Sequence, residues 1–261
     1  IPVFPGPNSE YDTMTRFDKA GAETEFFVIR NLTLNDLRET VKALSERISR
    51  ANIIALPGGF SAGDEPDGSG KYIASLFRSE RIKESVAGFL DRRGGLMLGI
   101  CNGFQALIKL GLLPYGEIRE QTEDSPTLTR NIIGRHASFI AQTKVTSNLS
   151  PWFALTDPGE VYNMPISHGE GRFTAREDEI KALAAKGQIA AQYVDLDGKP
   201  TMDARYNPNG SAWAVEALTS PDGRILGKMG HSERISDGIY KNVPGVYDQR
   251  IFEASVRYFN H

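Results

Sequence analysis

The sequence predicts an α/β fold in which an open, mostly parallel sheet carries helices on both faces. In the first half of the chain, short apolar runs alternate with stretches of helical periodicity. Glycine follows several of these runs, as is typical where a buried strand enters a loop. No Pro/Ser-rich linker divides the chain, so we expect both halves to share one sheet in a single domain that spans residues 1–261.

Each expected element of the first half is an apolar run or an apolar stripe at helical spacing. In chain order they are a helix at 11–20, a strand at 25–29, a helix at 34–48, a strand at 52–56, a helical stretch at 73–90, a strand at 96–98 and a helix at 104–111. Strands that alternate with helices in this way predict parallel pairing.

The second half has a weaker pattern. Residues 114–135 carry few periodic signals and are expected to form a loop. The further expected elements are a strand at 137–147, a helix at 176–186, a strand at 189–194, strands at 212–218 and 224–229 joined by a hairpin turn at Pro-Asp-Gly 221–223, and a last helix that begins near 248.

Composition narrows the class of protein. Apolar residues make up 40% of the 261 residues and charged residues 24%, which is typical of a globular chain. The formal charge of −3 argues against nucleic acid or an anionic membrane as the main partner. A single cysteine excludes an internal disulfide framework and favours a reducing, cytoplasmic location.

Cys101 lies in the most informative segment, Gly-Ile-Cys-Asn-Gly at 99–103. The segment follows an expected buried strand and opens a helix, which is the pattern of a nucleophile elbow with a thiol in place of the usual serine. The turn is tight, so side chains at Gly99 and Gly103 would clash with the neighbouring strand and helix. The positive end of the helix favours a thiolate. The alternative is a buried structural cysteine.

A thiolate nucleophile needs a general base that can also act as an acid. His231 follows an expected strand, and Glu233 lies two residues further on. In an extended chain these two side chains project to the same side, so Glu233 can hold the imidazole tautomer. His136 and His168 remain alternative bases. His168 lies in a segment rich in glycine and charge, which also fits an interface or substrate loop.

Residues 56–64 are rich in glycine and are expected to form a loop after a buried strand. At the carboxyl end of that strand, the loop would lie beside the cysteine turn and donate one N–H group to an oxyanion, while Asn102 donates another. A phosphate-binding loop is a weak alternative, because no Gly-Lys-Ser/Thr follows. An ordinary glycine-rich turn is the other alternative.

These motifs carry a resemblance. The segments Pro-Gly-Gly-Phe-Ser at 57–61, Gly-Ile-Cys-Asn-Gly-Phe-Gln at 99–105 and His-Ser-Glu at 231–233 resemble class I (triad) glutamine amidotransferases in content and order. Further segments resemble, more narrowly, the glutaminase domain of phosphoribosylformylglycinamidine synthase, an enzyme of purine biosynthesis. They lie at 8–12, 59–64, 167–172, 207–211 and 230–234, so the resemblance spans nearly the whole chain.

The resemblance implies a flavodoxin-like class I amidotransferase fold and a role for each matching residue. The nucleophile, base and orienting carboxylate would be Cys101, His231 and Glu233. Gly59 and Asn102 would supply the oxyanion N–H groups, and Phe60 and Gln105 would seat the glutamine. Two departures are visible. The loop after Ser61 is more acidic and glycine-rich than usual, and Ser232 stands where many relatives have proline.

The resemblance also implies partners. Glutamine would be hydrolysed here, and the ammonia would pass to a synthetase, either in the same polypeptide or as a separate subunit. ATP and magnesium are expected in that synthetase, and no cofactor or metal is expected in this chain. The chain would then be a C-terminal fragment or a subunit of a larger synthetase. His168, Glu170 and Arg172 are expected to contribute to the docking face.

Two rival functions remain at this point. One is a hydrolase with a cysteine elbow that acts alone, such as a γ-glutamyl hydrolase or a DJ-1-like protein. The other is a non-catalytic regulatory domain on the same scaffold. Such a domain would be marked by loss of the cysteine, histidine or glutamate, and all three positions are filled here.

Overall fold

A seven-stranded mixed sheet lies at the centre of the computed structural model, which describes residues 1–3, 9–59, 70–236 and 238–260. The helices are α1 (Glu10–Lys19), α2 (Leu34–Arg50), α3 (Lys71–Phe77), α4 (Glu80–Arg93), α5 (Asn102–Leu110), α6 (Leu112–Tyr115), α7 (Glu177–Ala185) and α8 (Ile251–Arg257). The strands are β1 (Pro2–Val3), β2 (Phe27–Val28), β3 (Ile53–Leu56), β4 (Leu96–Ile100), β5 (Thr127–Thr129), β6 (Ala137–Val145), β7 (Val161–His168), β8 (Arg172–Thr174), β9 (Ile189–Tyr193), β10 (Val215–Thr219) and β11 (Ile225–Lys228).

The order of the large sheet is β3-β4-β11-β10-β9-β6-β7. Strands β3, β4 and β11 pair in parallel, so their carboxyl ends meet at one edge of the sheet. The pairings from β11 to β7 are antiparallel. The predicted α/β class is therefore confirmed, and the parallel pairing of this sheet is concentrated in the strands that precede the cysteine turn and the histidine.

Most predicted elements are present with shifted bounds. The predicted hairpin at 221–223 joins β10 to β11, with Thr219 paired to Leu226. The predicted helical stretch at 73–90 is two helices, α3 and α4, because the backbone becomes extended at Ser79 (φ −60°, ψ 134°). The predicted loop at 114–135 contains a short strand, β5, that pairs with β8.

The sequence pattern did not predict strand β7. Pro165 lies in its middle, and proline ordinarily argues against a strand. β7 is the last strand in the order of the sheet and pairs with β6, so the missing N–H of Pro165 is tolerated at that edge. This strand proves important because its carboxyl end reaches the cysteine.

Helix packing closes the two faces of the sheet. Helix α2 begins with a capping box formed by Thr33 and Asp36. Only the second part of its apolar stripe is buried: Leu44 and Ile48 are buried, whereas Leu34 at the start of the helix is exposed. Helix α5 is buried along almost its whole length and contacts β3, β4 and β11. In the described ranges, no helix is both long and apolar enough to cross a membrane.

Candidate active site

Cys101 lies at a strained turn between β4 and α5. Its backbone has φ 51° and ψ −103°, a conformation that costs a non-glycine residue about 1–3 kcal/mol. The Cys101 N–H donates to the carbonyl of Lys228 at 2.8 Å, and the Gln105 N–H donates to the carbonyl of Cys101 at 3.1 Å. These bonds hold the strained turn between the end of β11 and the first turn of α5, with the side chain only 6% exposed.

The two flanking glycines are required by close packing. A Cβ atom on Gly103 would overlap the carbonyl oxygen of Leu56, at the end of β3. One on Gly99 would lie 2.7 Å from the Gly103 carbonyl carbon and 2.6 Å from a methyl group of Leu107. The predicted clash with the neighbouring strand and helix is therefore confirmed. This packing lets α5 begin directly behind the nucleophile.

His231 and Glu233 form the predicted histidine–carboxylate pair. The His231 Nδ1 atom lies 2.6 Å from the Glu233 Oε1 atom, and both side chains are almost fully buried. Residues 231–234 form a turn rather than the extended chain that the spacing argument assumed, and the Ser232 N–H donates to the Gly230 carbonyl at 3.2 Å. The predicted contact is therefore present, but a turn rather than an extended chain brings the two side chains together.

Electrostatics favour a charged pair. Burial lowers the pKa of His231, but the Glu233 carboxylate and the Cys101 side chain outweigh burial and raise it to about 10. Burial raises the pKa of Glu233, while the charge and hydrogen bond of His231 more than offset this and lower it. The His231 ring interacts with the Cys101 side chain, and its buried Nε2 atom has no nitrogen or oxygen partner among the described residues, so this nitrogen is available for proton transfer with the thiol.

The glycine pair at the end of β3 also contacts the site. A Cβ atom on Gly58 would lie 2.8 Å from His231 Cε1 and 3.4 Å from the Cys101 Cβ. Gly58 thus keeps the space between base and nucleophile clear, a role that the sequence interpretation assigned to neither glycine. Gly59 follows with φ 120°, and Asn102 is the first residue of α5. Their oxyanion roles stay predictions, and Phe60 lies outside the described residues.

The end of β7 lies against the nucleophile. The Cys101 Sγ atom is 3.7 Å from the Ser167 carbonyl oxygen. The Gln105 side-chain amide, on the first turn of α5, donates to the carbonyl of Glu170. His136 is exposed to solvent, and its Nε2 atom lies 3.0 Å from the Ser167 hydroxyl. The segment 167–171 therefore forms one wall of the site, and the role of Gln105 in seating glutamine stays a prediction.

His168 is buried within that wall. Its Nδ1 atom lies 3.2 Å from the Asn131 amide oxygen, and its side chain does not reach the surface that an interface residue needs. Burial, followed by the charges of His231 and His136, lowers the pKa of His168 to about 3. His168 is therefore neutral near pH 7 and has no carboxylate orienter at its Nδ1 atom, which favours His231 as the base.

The other two expected interface residues lie nearer the surface. The Glu170 carboxylate lies 3.8 Å from the Arg130 guanidinium, with 17% of its side chain exposed. Arg172 is half-buried on β8, where its backbone pairs with Thr129. Their contribution to docking stays a prediction.

Residues that sequence reasoning missed hold the wall in place. The Asn209 amide donates to the Gly171 carbonyl at 2.7 Å, and the Ser211 hydroxyl accepts from the Phe173 N–H at 3.1 Å. Asn131 donates to the carbonyl of His168 at 2.8 Å. The segment 207–211 carried part of the resemblance but was assigned no role, and Asn131 gave no signal, because neither lies near the site along the chain.

Comparison with known proteins agrees with this geometry. Residues 1–259 match the family model of the CobB/CobQ-like glutamine amidotransferase domain. Among curated relatives, "Phosphoribosylformylglycinamidine synthase subunit PurQ" of Gloeobacter violaceus is 33% identical over 97% of this chain and 94% of its own. The subunit of the same name from Thermomicrobium roseum is 34% identical over 91% of this chain and 87% of its own.

Solved structures agree as well. A chain of the structure of PurLQS from Thermotoga maritima matches with a TM-score of 0.68 and 26% identity, covering 98% of this chain and 96% of that one. The glutaminase domain of CTPS from Trypanosoma brucei, solved with bound acivicin, matches with a TM-score of 0.51 at 14% identity and shares the fold. The family match over nearly the full length and the curated relatives above 30% identity lead to one conclusion: this chain belongs to the family of CobB/CobQ-like glutamine amidotransferase domains.

Proposed function

We propose that this chain is the glutaminase component of a phosphoribosylformylglycinamidine synthase, which hydrolyses glutamine and supplies ammonia for de novo purine biosynthesis. The observation that carries the chemistry is the strained Cys101 turn facing a buried His231–Glu233 pair. The curated relatives, which bear the name of that synthase subunit, support the choice of pathway.

The first half-reaction forms a thioester. The Cys101 thiolate attacks the side-chain amide carbon of glutamine, and the C=O electron pair moves onto oxygen. Backbone N–H groups of Gly59 and Asn102 stabilise that oxyanion. As the oxyanion collapses, the C–N bond breaks and the His231 imidazolium gives its proton to the departing nitrogen, which leaves as ammonia. The raised pKa of His231 supports its role as this acid.

The second half-reaction regenerates the enzyme. His231, now neutral, removes a proton from water as the water oxygen attacks the thioester carbonyl carbon. The C–S bond then breaks, which leaves the Cys101 thiolate beside a protonated imidazole and releases the product as a carboxylic acid, which loses its proton to solvent to give glutamate. Glu233 keeps the proton of His231 on Nδ1 in the neutral state, so that Nε2 points its lone pair at the reacting atoms.

Ammonia has to be used by a partner. A synthetase with ATP and magnesium would activate the acceptor amide, while the glutaminase step described here uses only side-chain and backbone groups of this chain. We place part of the docking face at Glu170 and Arg172, because both lie beside the wall that borders Cys101. The free thiol of Cys101 supports action in the cytoplasm, where cysteines stay reduced.

The test compares Cys101→Ala with the unaltered chain, each combined with the synthetase. The alanine variant should lose glutamine hydrolysis and glutamine-dependent product formation but keep its fold and still support product formation from added ammonium salts. Supplying free glutamine and γ-glutamyl peptides in parallel separates this function from a stand-alone γ-glutamyl hydrolase. Substantial glutaminase activity in the alanine variant, or preference for the peptides, would overturn the proposal.

A further inference from the structure

A buried lysine lies behind the catalytic pair and has no part in the proposed chemistry. Lys228 is the last residue of β11, and its side chain is completely excluded from solvent. Taking an ammonium group out of water is costly unless it is paired and hydrogen-bonded. Its position three residues before His231 therefore calls for a specific explanation.

The ammonium group is enclosed by partners from three parts of the chain. Lys228 Nζ donates to the Ser232 hydroxyl at 2.7 Å and to the Gln249 amide oxygen at 2.7 Å. It also lies 3.8 Å from the Glu216 carboxylate on β10. Burial lowers the pKa of Lys228, while the carboxylates of Glu216 and Glu233 oppose that effect. We name Lys228, Glu216, Ser232 and Gln249 the lysine cluster.

The lysine cluster holds the centre of the turn that carries the base and the residue before that turn. Ser232 stands between His231 and Glu233, so the bond from Lys228 fixes the centre of the turn. Glu216 Oε1 accepts the N–H of Gly230 at 2.8 Å and so fixes the residue before His231. His231 and Glu233 flank Ser232 in the chain and contact each other, with Nδ1 of His231 2.6 Å from Oε1 of Glu233.

The same lysine also contacts the nucleophile turn through its backbone. Its carbonyl accepts the N–H of Cys101 at 2.8 Å, which is the bond that ties the strained residue to β11. Lys228 thus links the turn that carries the nucleophile to the turn that carries the base. Its backbone contacts the nucleophile turn, and its side chain contacts the turn that carries the base.

We propose that Lys228 is a positioning residue for glutamine hydrolysis: paired with Glu216, it holds the turn at 231–234 through the Ser232 hydroxyl so that His231 stays aligned with Cys101. This inference rests on the proposed glutaminase function and adds to it a residue outside the triad. The alternative is a purely structural role, in which Lys228 only neutralises the charge of Glu216 in the core.

The variants separate the two roles. Lys228→Met removes the ammonium and leaves Glu216 unpaired, whereas Lys228→Met with Glu216→Gln removes both charges and keeps an acceptor for the Gly230 N–H. Ser232→Ala removes only the hydroxyl that receives the bond from Lys228, and it leaves the core otherwise filled. Lys144→Met is the control, because the half-buried Lys144 donates to the Gly198 carbonyl and lies at the end of the β6–β7 pairing that is far from His168.

The measurement is steady-state glutamine hydrolysis by the chain combined with its synthetase, with thermal unfolding of each variant. We expect kcat to fall by up to about 100-fold in Lys228→Met, to remain low in the double variant and to fall in Ser232→Ala, while the glutamine KM stays unchanged. Lys144→Met should keep the unaltered kcat. If either lysine variant does not fold, Ser232→Ala decides the matter by the same split between kcat and KM.

Two outcomes would overturn the inference. Recovery of the unaltered kcat in the double variant assigns Lys228 to charge neutralisation alone, and an unchanged kcat in Ser232→Ala removes the proposed link to the turn. Failure of the proposed function is distinguishable, because the unaltered chain itself would then fail to hydrolyse glutamine.

Discussion

Replacement of Glu233 by glutamine tests how the base is held. The Glu233 carboxylate lies 2.6 Å from His231 Nδ1, in a site where both side chains are almost fully buried. Glutamine has nearly the same shape but no charge, so it can present either its carbonyl oxygen or its NH₂ group to the imidazole. The variant therefore removes the charge and leaves the tautomer of His231 undetermined.

The pKa of His231 sets the expected magnitude. It is raised from 6.5 to about 10 although burial alone would lower it. Because one pKa unit corresponds to about 1.4 kcal/mol, this rise amounts to several kcal/mol in favour of the protonated ring, supplied by Glu233 together with Cys101. Without the carboxylate, burial dominates and the pKa of His231 falls. We expect kcat to fall by about 10²–10⁴-fold, the usual contribution of general acid–base catalysis.

The assay is glutamate release over a range of pH, with the alkylation rate of Cys101 by iodoacetamide at pH 7 as a second measurement. Alkylation should slow in Glu233→Gln, because the imidazolium that stabilises the thiolate is depleted. Glu253→Gln is a matched control on helix α8, where the carboxylate pairs with arginines at the surface. A kcat within threefold of the unaltered enzyme in Glu233→Gln, at about the level of the control, would refute this reasoning.

Two further predictions concern stability. Gly103→Ala should lower the free energy of unfolding, measured by urea denaturation, by about 1–3 kcal/mol, because the new methyl group would overlap the Leu56 carbonyl. An unchanged free energy of unfolding would contradict the packing argument. Folding lowers the pKa of His168 from 6.5 to about 3. Between these two pH values the unfolded chain binds a proton at this histidine that the folded chain does not bind. The free energy of unfolding therefore falls as the pH drops from 6.5 towards 3. His168→Gln should therefore remove about 2 kcal/mol of the loss of stability between pH 6.5 and pH 5. Equal pH dependence of stability in the unaltered chain and His168→Gln would contradict the assignment.

The nucleophile turn could be predicted from sequence because its determinants are local. A buried strand, Gly-x-Cys-x-Gly and an apolar helix follow each other within a few residues, and the clash that excludes larger side chains involves their immediate neighbours. The pairing of His231 with Glu233 was also found from short spacing, although the backbone there is a turn. Contacts of this kind, between residues close in the chain, can be predicted without knowledge of the rest of the fold.

The surroundings of the site could not be predicted in the same way. Ser167 and His168 lie at the site because they are the last residues of β7, and a proline in the middle of that strand argues against a strand in the sequence pattern. Lys228 and Glu216 lie on neighbouring strands of a sheet, and nothing in the linear sequence says that their side chains point into the same interior space. Contacts between distant segments depend on strand order and register, which composition and periodicity do not specify.

The most direct measurement of the central claim is acid quenching of the enzyme during glutamine turnover, followed by mass spectrometry of its peptides. The account predicts a glutamyl group attached through a thioester to the peptide that contains Cys101, released by hydroxylamine and absent from Cys101→Ala. Steady turnover with no adduct on that peptide, under conditions in which hydrolysis of the thioester limits the rate, would contradict it, as would a glutamyl adduct on any other residue.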